Sequence, residues 1–193
     1  MSPARKRGGT TSKMQSLTLD SHSPEETQLL GSYLGELAQK ADVFLLAGEL
    51  GTGKTCLVQG IARGLNVKEY AFSPSFVILR QYHGRLPLYH IDFYRLDCVE
   101  EIADLGLEEY FHGDGICAVE WAEKGFQIVP QDNLHISIHY ASLSQKGRSL
   151  RFRSQGERYD ELIKQLREKT RLWPKNAKCR TVQDLKTRGQ NRQ

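Results

Sequence analysis

Val43-Phe44-Leu45-Leu46-Ala47-Gly48-Glu49-Leu50-Gly51-Thr52-Gly53-Lys54-Thr55 is the stretch on which the reading of this chain turns. Its first five residues are continuously apolar, as in a strand buried on both faces. The next eight fit G-x-x-x-x-G-K-[ST] without a gap, and Cys56–Leu65 then has the spacing of a helix. Strand, glycine loop and helix form the setting in which this pattern cradles phosphate. The glycines allow backbone angles that turn successive N–H groups inward, and the helix points its positive end at the same place. Lys54 adds a full charge near the β- and γ-phosphates, and the Thr55 hydroxyl suits Mg²⁺. The expected ligand is therefore a nucleoside triphosphate with magnesium, held by Gly48 to Thr55.

Working outward, an acid is expected at the end of a neighbouring buried strand, to hold the metal or orient water. Two segments offer one. Leu88-Tyr89-His90-Ile91 runs into Asp92, and Ile116-Cys117-Ala118-Val119 runs into Glu120, followed by Trp121. Ligands of open α/β sheets gather at such strand ends. Each acid also has a plain structural reading: Asp92 as a cap or a partner for Arg95, Glu120 as a cap before the 122–124 turn. His90 reads as a packed histidine. Ser73-Pro74-Ser75-Phe76 lies where related switches sense the γ-phosphate, or is a simple Ser-Pro turn. There is no N-K-x-D guanine motif and no Arg-rich lid.

Elsewhere the chain predicts a short strand over Ser16–Leu19 and a helix capped by Ser23 with Pro24 in its first turn. Strands are expected over Phe76–Leu79 and Leu86–Ile91, joined through Gly84. Helix or turn is expected over Val99–Tyr110. A strand over Leu134–Tyr140 is expected to pair with Leu150–Arg153, before a last helix over Tyr159–Leu166. This order predicts an α/β fold: a P-loop-type mixed sheet flanked by helices on both faces, with flexible basic tails. The expected domain is 16–170, between tails 1–15 and 171–193.

Composition sets the limits. The chain has 193 residues, 26% of them charged, and a net charge of +4. Residues 1–13 carry Arg5, Lys6, Arg7 and Lys13 and no acid. Residues 171–193 carry seven basic residues against Asp184 alone, so the body between is acidic. Such tails give solubility or hold a polyanion. No apolar run reaches the ~20 residues of a membrane span. Cys56, Cys98, Cys117 and Cys179 lack metal-ligand spacing and read as free thiols of a cytoplasmic protein.

Four blocks together resemble the TsaE family: Gly48 to Thr55, Ser73-Pro74-Ser75-Phe76, Tyr89-His90-Ile91-Asp92-Phe93-Tyr94-Arg95-Leu96, and Glu120-Trp121. They stand in that family's order and spacing over about residues 16–155. The resemblance implies an ATPase needed for threonylcarbamoyladenosine formation at tRNA position 37. It implies that Glu49 to Thr55 hold ATP, that Thr55 and Glu120 bind Mg²⁺, and that Asp92 and Lys54 serve hydrolysis. Ser73 to Phe76 would be a switch segment, with Trp121 beside the nucleotide. The family usually has Thr where this chain has Ser75. The implied partners are TsaB and TsaD, with tRNA reached through their complex. Rival readings are a P-loop kinase for a small molecule and a non-enzymatic RNA-binding adaptor working through its tails.

Overall fold

Val43–Ala47 (β2) lies at the centre of a seven-stranded sheet in the computed structural model, which describes residues 14–141 and 147–173. The other strands are Ser16–Ser21 (β1), Leu79–Tyr82 (β3), Leu88–Asp92 (β4), Ile116–Glu120 (β5), Asn133–Tyr140 (β6) and Arg148–Gln155 (β7). Their order across the sheet is β1-β7-β6-β2-β5-β4-β3. β4, β5, β2 and β6 run parallel, while β3, β7 and β1 add antiparallel strands at the two sides. The register sets Asp92 beside Glu120, and Glu120 beside Leu46, one residue from the end of β2. Parallel pairing thus brings three strand ends, far apart in sequence, to one edge of the sheet.

Pro24–Leu37 (α1), Lys54–Gly64 (α2) and Glu157–Lys169 (α5) pack on one face around Leu30, Leu34, Leu57 and Ile61. Val99–Ala103 (α3) and Glu108–Phe111 (α4) cover the other face beside β2, β5 and β4, around Leu45, Ile91, Phe93 and Val119. Helices therefore flank both faces, but the second layer stops at β2. The apolar cluster on that side contains no residue of β6, β7 or β1.

α1 and α2 meet at glycines. A Cβ on Gly31 would lie 2.2 Å from Leu57 O, and one on Gly60 would lie 2.1 Å from Gln28 O. Gly35 and Gly64 repeat this one turn later, at 2.3 Å from Ile61 O and 2.1 Å from Ser32 O. The two backbones touch along this seam, which fixes α2 and the loop before it.

Several boundaries differ from expectation. The strand expected over Phe76–Leu79 begins only at Leu79, because Val77 N and Ile78 N turn back to Pro74 O at 2.8 and 2.7 Å. Ile78 has φ +65°, a strained value for a β-branched residue. The helix expected from Cys56 starts at Lys54. The segment 99–110, expected as helix or turn, forms two short helices separated at Gly106 with φ +63°. β7 is longer than expected and pairs on both sides, with β6 and β1. The expectations about 1–13 and 174–193, Cys179 included, lie outside the described residues. Trp173 donates its indole N–H to Asp20 O at 2.8 Å.

Candidate functional site

Between β2 and α2 the backbone takes positive φ at Gly48 (143°), Gly51 (79°) and Gly53 (104°). Space is tight as well, since a Cβ on Gly48 would lie 2.3 Å from Ile138 O. Gly53 is the N-cap of α2 and carries no side-chain oxygen, so the first-turn amides of that helix have no side-chain cap. An uncapped helix start next to turned-in loop amides is a site for anionic oxygens.

The loop is braced from outside. Arg148 donates Nε to Thr52 O at 2.9 Å and Nη2 to Gly51 O at 3.2 Å. Tyr140 donates its hydroxyl to Leu50 O at 3.2 Å, and the Arg148 guanidinium lies 4.4 Å from the Tyr140 ring centroid. These bonds tie down the carbonyls of Leu50, Gly51 and Thr52 and so fix the loop's conformation. Nothing in the spacing of the sequence points to these two residues, which approach the loop only because β6 and β7 pair.

Lys54 is 4% exposed. Its ammonium donates to Gly48 O (2.6 Å) and Glu49 O (3.0 Å) and lies 3.7 Å from the Trp121 ring centroid. Burial holds its pKa below the usual lysine value, against the opposing pull of Glu120, Glu123 and Asp92. Trp121 has φ +58°, a left-handed conformation that sterics disfavour outside glycine. That strain sets it over Lys54 at the end of β5, with Tyr94 5.0 Å away.

Thr55 donates its hydroxyl to the Glu120 carboxylate, at 2.8 and 3.0 Å from the two oxygens. Glu120 Oε1 also meets His90 Nε2 at 2.8 Å. His90 is fully buried and its Nδ1 has no partner among the described residues. The ring donates to Glu120 from Nε2, so it is packed, as its sequence context implies, but it also steers a site carboxylate. Hydroxyl and carboxylate oxygens are the hard donors that suit Mg²⁺, which keeps water and phosphate among its ligands. No group of three or more His, Cys, Asp or Glu among the described residues could hold a metal by itself.

Asp92 is the third element. Ser73 and Ser75 each donate a hydroxyl to Asp92 Oδ2 at 2.6 Å, and Tyr94 N donates to Oδ1 at 2.8 Å. The two serine hydroxyls are themselves 2.6 Å apart. Arg95 stacks on the Phe76 ring at 3.9 Å, so it is not the partner of Asp92 that the sequence allowed. The loop, Ser73, Ser75, Asp92, Glu120 and Trp121 line one open cleft of about 550 Å³. A second cleft, of about 410 Å³, opens on the far side of Gly51 to Gly53, against Thr27, Cys56 and Arg148. A phosphate chain along the loop would have the first cleft at one end and the second at the other. Every site residue expected from the sequence thus stands in or beside one continuous region. Leu50 is 70% exposed, and Glu123 joins them, with its Oε1 3.4 Å from Gly48 N.

Comparison with known proteins places the chain in a family. The family model for threonylcarbamoyl adenosine biosynthesis protein TsaE matches residues 21–150. The chain is 41% identical over 154 residues to the tRNA threonylcarbamoyladenosine biosynthesis protein TsaE of Bacillus subtilis, covering 79% of this chain and 95% of that protein. It is 42% identical over 118 residues to the protein of the same name from Treponema pallidum, covering 61% and 87%. The crystal structure of Bacillus subtilis YdiB superposes with a TM-score of 0.72 at 36% identity, covering 82% of this chain and 99% of that one. With residues 21–150 matched by the family model and 41% identity over 154 residues to the Bacillus subtilis protein, the chain belongs to the TsaE family of threonylcarbamoyladenosine biosynthesis proteins.

Proposed function

We propose that this protein is a Mg²⁺-dependent ATPase that binds the TsaB–TsaD pair and supports threonylcarbamoyl transfer to adenosine 37 of tRNA. The observation that carries the reading is convergence. Uncapped helix amides, Lys54, the Thr55–Glu120 pair and the Ser73–Ser75–Asp92 cluster all line one cleft. The nucleoside lies toward the cleft by Thr27 and Cys56, and the γ-phosphate lies between Lys54 and Asp92. Lys54 exchanges its bonds to Gly48 O and Glu49 O for phosphate oxygens when ATP enters. Mg²⁺ held by Thr55 and Glu120 supplies charge neutralisation on the phosphates. Asp92 orients the attacking water and takes its proton. Ser73 and Ser75 hold its carboxylate until the γ-phosphate competes for their hydroxyls. The cleft rim exposes Leu50, Phe76 and Tyr94, apolar surface suited to a protein partner. No specific observation favours the kinase reading.

The test is hydrolysis by the full chain, alone and with TsaB and TsaD, in unaltered and Asp92→Ala forms. The variant should bind a fluorescent ATP analogue with unchanged affinity and lose about 10²–10⁴-fold in turnover. Normal turnover in the variant removes Asp92 from the reaction. Failure of TsaB and TsaD to co-elute with the protein, with or without ATP, removes the partners.

A further inference from the structure

The face of β6, β7 and β1 that the second helical layer leaves open is not a plain hydrated surface. Pairing sets His135 beside Arg153 and Ser16 in one row, and Ser137 beside Arg151 and Thr18 in the next. Arg151 and Arg153 point to the same side of β7, about 7 Å apart. Neither forms an ion pair with a carboxylate among the described residues. The side chain of Arg153 is half-buried, and its Nε has no hydrogen-bond partner. Burial first, and the Arg153 charge second, hold His135 below the usual histidine pKa.

The segment 126–132 walls this face into a groove of about 840 Å³, floored by Leu45 and Val129. Half-exposed Phe126 stands at its mouth, 5.4 Å from the His135 ring. Gln131 of that segment, with Asn133 of β6 and Gln155 of β7, completes the lining. Asn133 is 3% exposed, and its Oδ1 is the other unpartnered buried polar atom here. Asp132 is the one carboxylate among the groove's lining residues. Met14 lines the rim.

We propose that this groove and the adjoining row of β7 bind an unpaired segment of RNA, with phosphates on Arg153 in the groove and Arg151 beside it, and a base stacked at Phe126 within reach of the exposed amides of Gln131 and Gln155. Two aligned guanidiniums suit successive phosphates, an exposed ring beside a histidine suits a base face, and side-chain amides suit base edges. An acidic peptide would use the arginines but leave the ring and the amides idle. The inference rests on no part of the nucleotide-site reading, since the groove shares no lining residue with the cleft at Lys54.

The experiment is fluorescence anisotropy of the full chain with a labelled mixed-sequence RNA decamer across a salt series. AMP and polyglutamate serve as competitors. The Arg151→Ala/Arg153→Ala variant should reduce the slope of log affinity against log salt by about 1.4, two single-strand phosphates' worth. Restoring charge as Arg151→Lys/Arg153→Lys should return the slope. Phe126→Ala should weaken binding about 5- to 100-fold and leave the slope unchanged. Affinity for a fluorescent ATP analogue should be unaltered in all three, which separates this groove from the nucleotide site. Slopes and affinities equal to those of the unaltered chain would assign RNA binding to the basic ends and overturn the proposal. So would absence of RNA binding, or displacement of the RNA by polyglutamate at equal charge concentration.

Discussion

Lys54 is buried among groups of opposite charge, yet its bonds go to neutral carbonyls of its own loop. An ammonium so placed gains when phosphate replaces those carbonyls. Lys54→Ala should therefore weaken nucleotide binding by about 2–3 kcal/mol, or ~30–150-fold, with the melting profile retained. Titration with a fluorescent ATP analogue measures it, and an unchanged affinity would dismiss the loop as a nucleotide site. The sign of the pH effect follows from the same residue. Burial lowers the free-site pKa, and bound phosphate raises it again. Affinity is then full below the free-site pKa and falls as pH rises through it. The same titration carried upward from neutral pH should show that fall beginning below the ordinary lysine pKa, and Lys54→Ala should abolish it. His90 acts one step back, through Glu120. His90→Phe should leave Mg²⁺-free nucleotide affinity intact and lower Mg²⁺-supported affinity about 10-fold, the worth of one hydrogen bond to a carboxylate. Equal losses with and without Mg²⁺ would mean that His90 serves the fold alone.

The seam between α1 and α2 decides a competition between two effects of known size. In an exposed helix, Gly→Ala stabilises by up to about 1 kcal/mol. At Gly60 the added Cβ meets Gln28 O at 2.1 Å, a backbone atom that cannot step aside. Overpacking of that kind costs about 1–3 kcal/mol or more, so it wins. Gly60→Ala should lower the melting temperature by several degrees, and a rise would show that the helices have room to part. The segment before β3 stores strain in a different way. Ile78 at φ +65° follows the Ser73–Phe76 turn, and Asp92 N donates to Ile78 O at 2.9 Å. A change in how Asp92 holds the serines is thus felt at a residue already out of its preferred conformation.

Across the whole molecule, the site is built at one edge of the sheet by strands that end together. Binding there stabilises the native state alone. At a hundred times the dissociation constant, Mg²⁺-ATP should add about 2.7 kcal/mol. For a chain of this size that is a rise of about 5–10 °C in melting temperature. Differential scanning fluorimetry reads it directly, and no shift at saturating nucleotide would count against the site. No helix among the described residues is long and apolar enough to cross a membrane.

Local pattern was enough for the elements and for most of the site. The apolar run of β2, the glycine spacing after it, and the acids closing β4 and β5 are properties of short stretches, and so is the Ser73–Phe76 block. Their chemistry can be read before any fold is known, because phosphate cradles need fixed residue types at fixed intervals. What pairing decides was not legible. Arg148 and Tyr140 meet the loop across some 90 residues, and His90 reaches Glu120 across a parallel strand pair. The glycines of α1 and α2 look unfavourable until the two helices are in contact. The open basic face of β6 and β7 exists only because alternating side chains from two strands line up in register. Linear sequence fixes which groups are present and their local spacing; only long-range hydrogen-bonded pairing and close packing determine which of them meet.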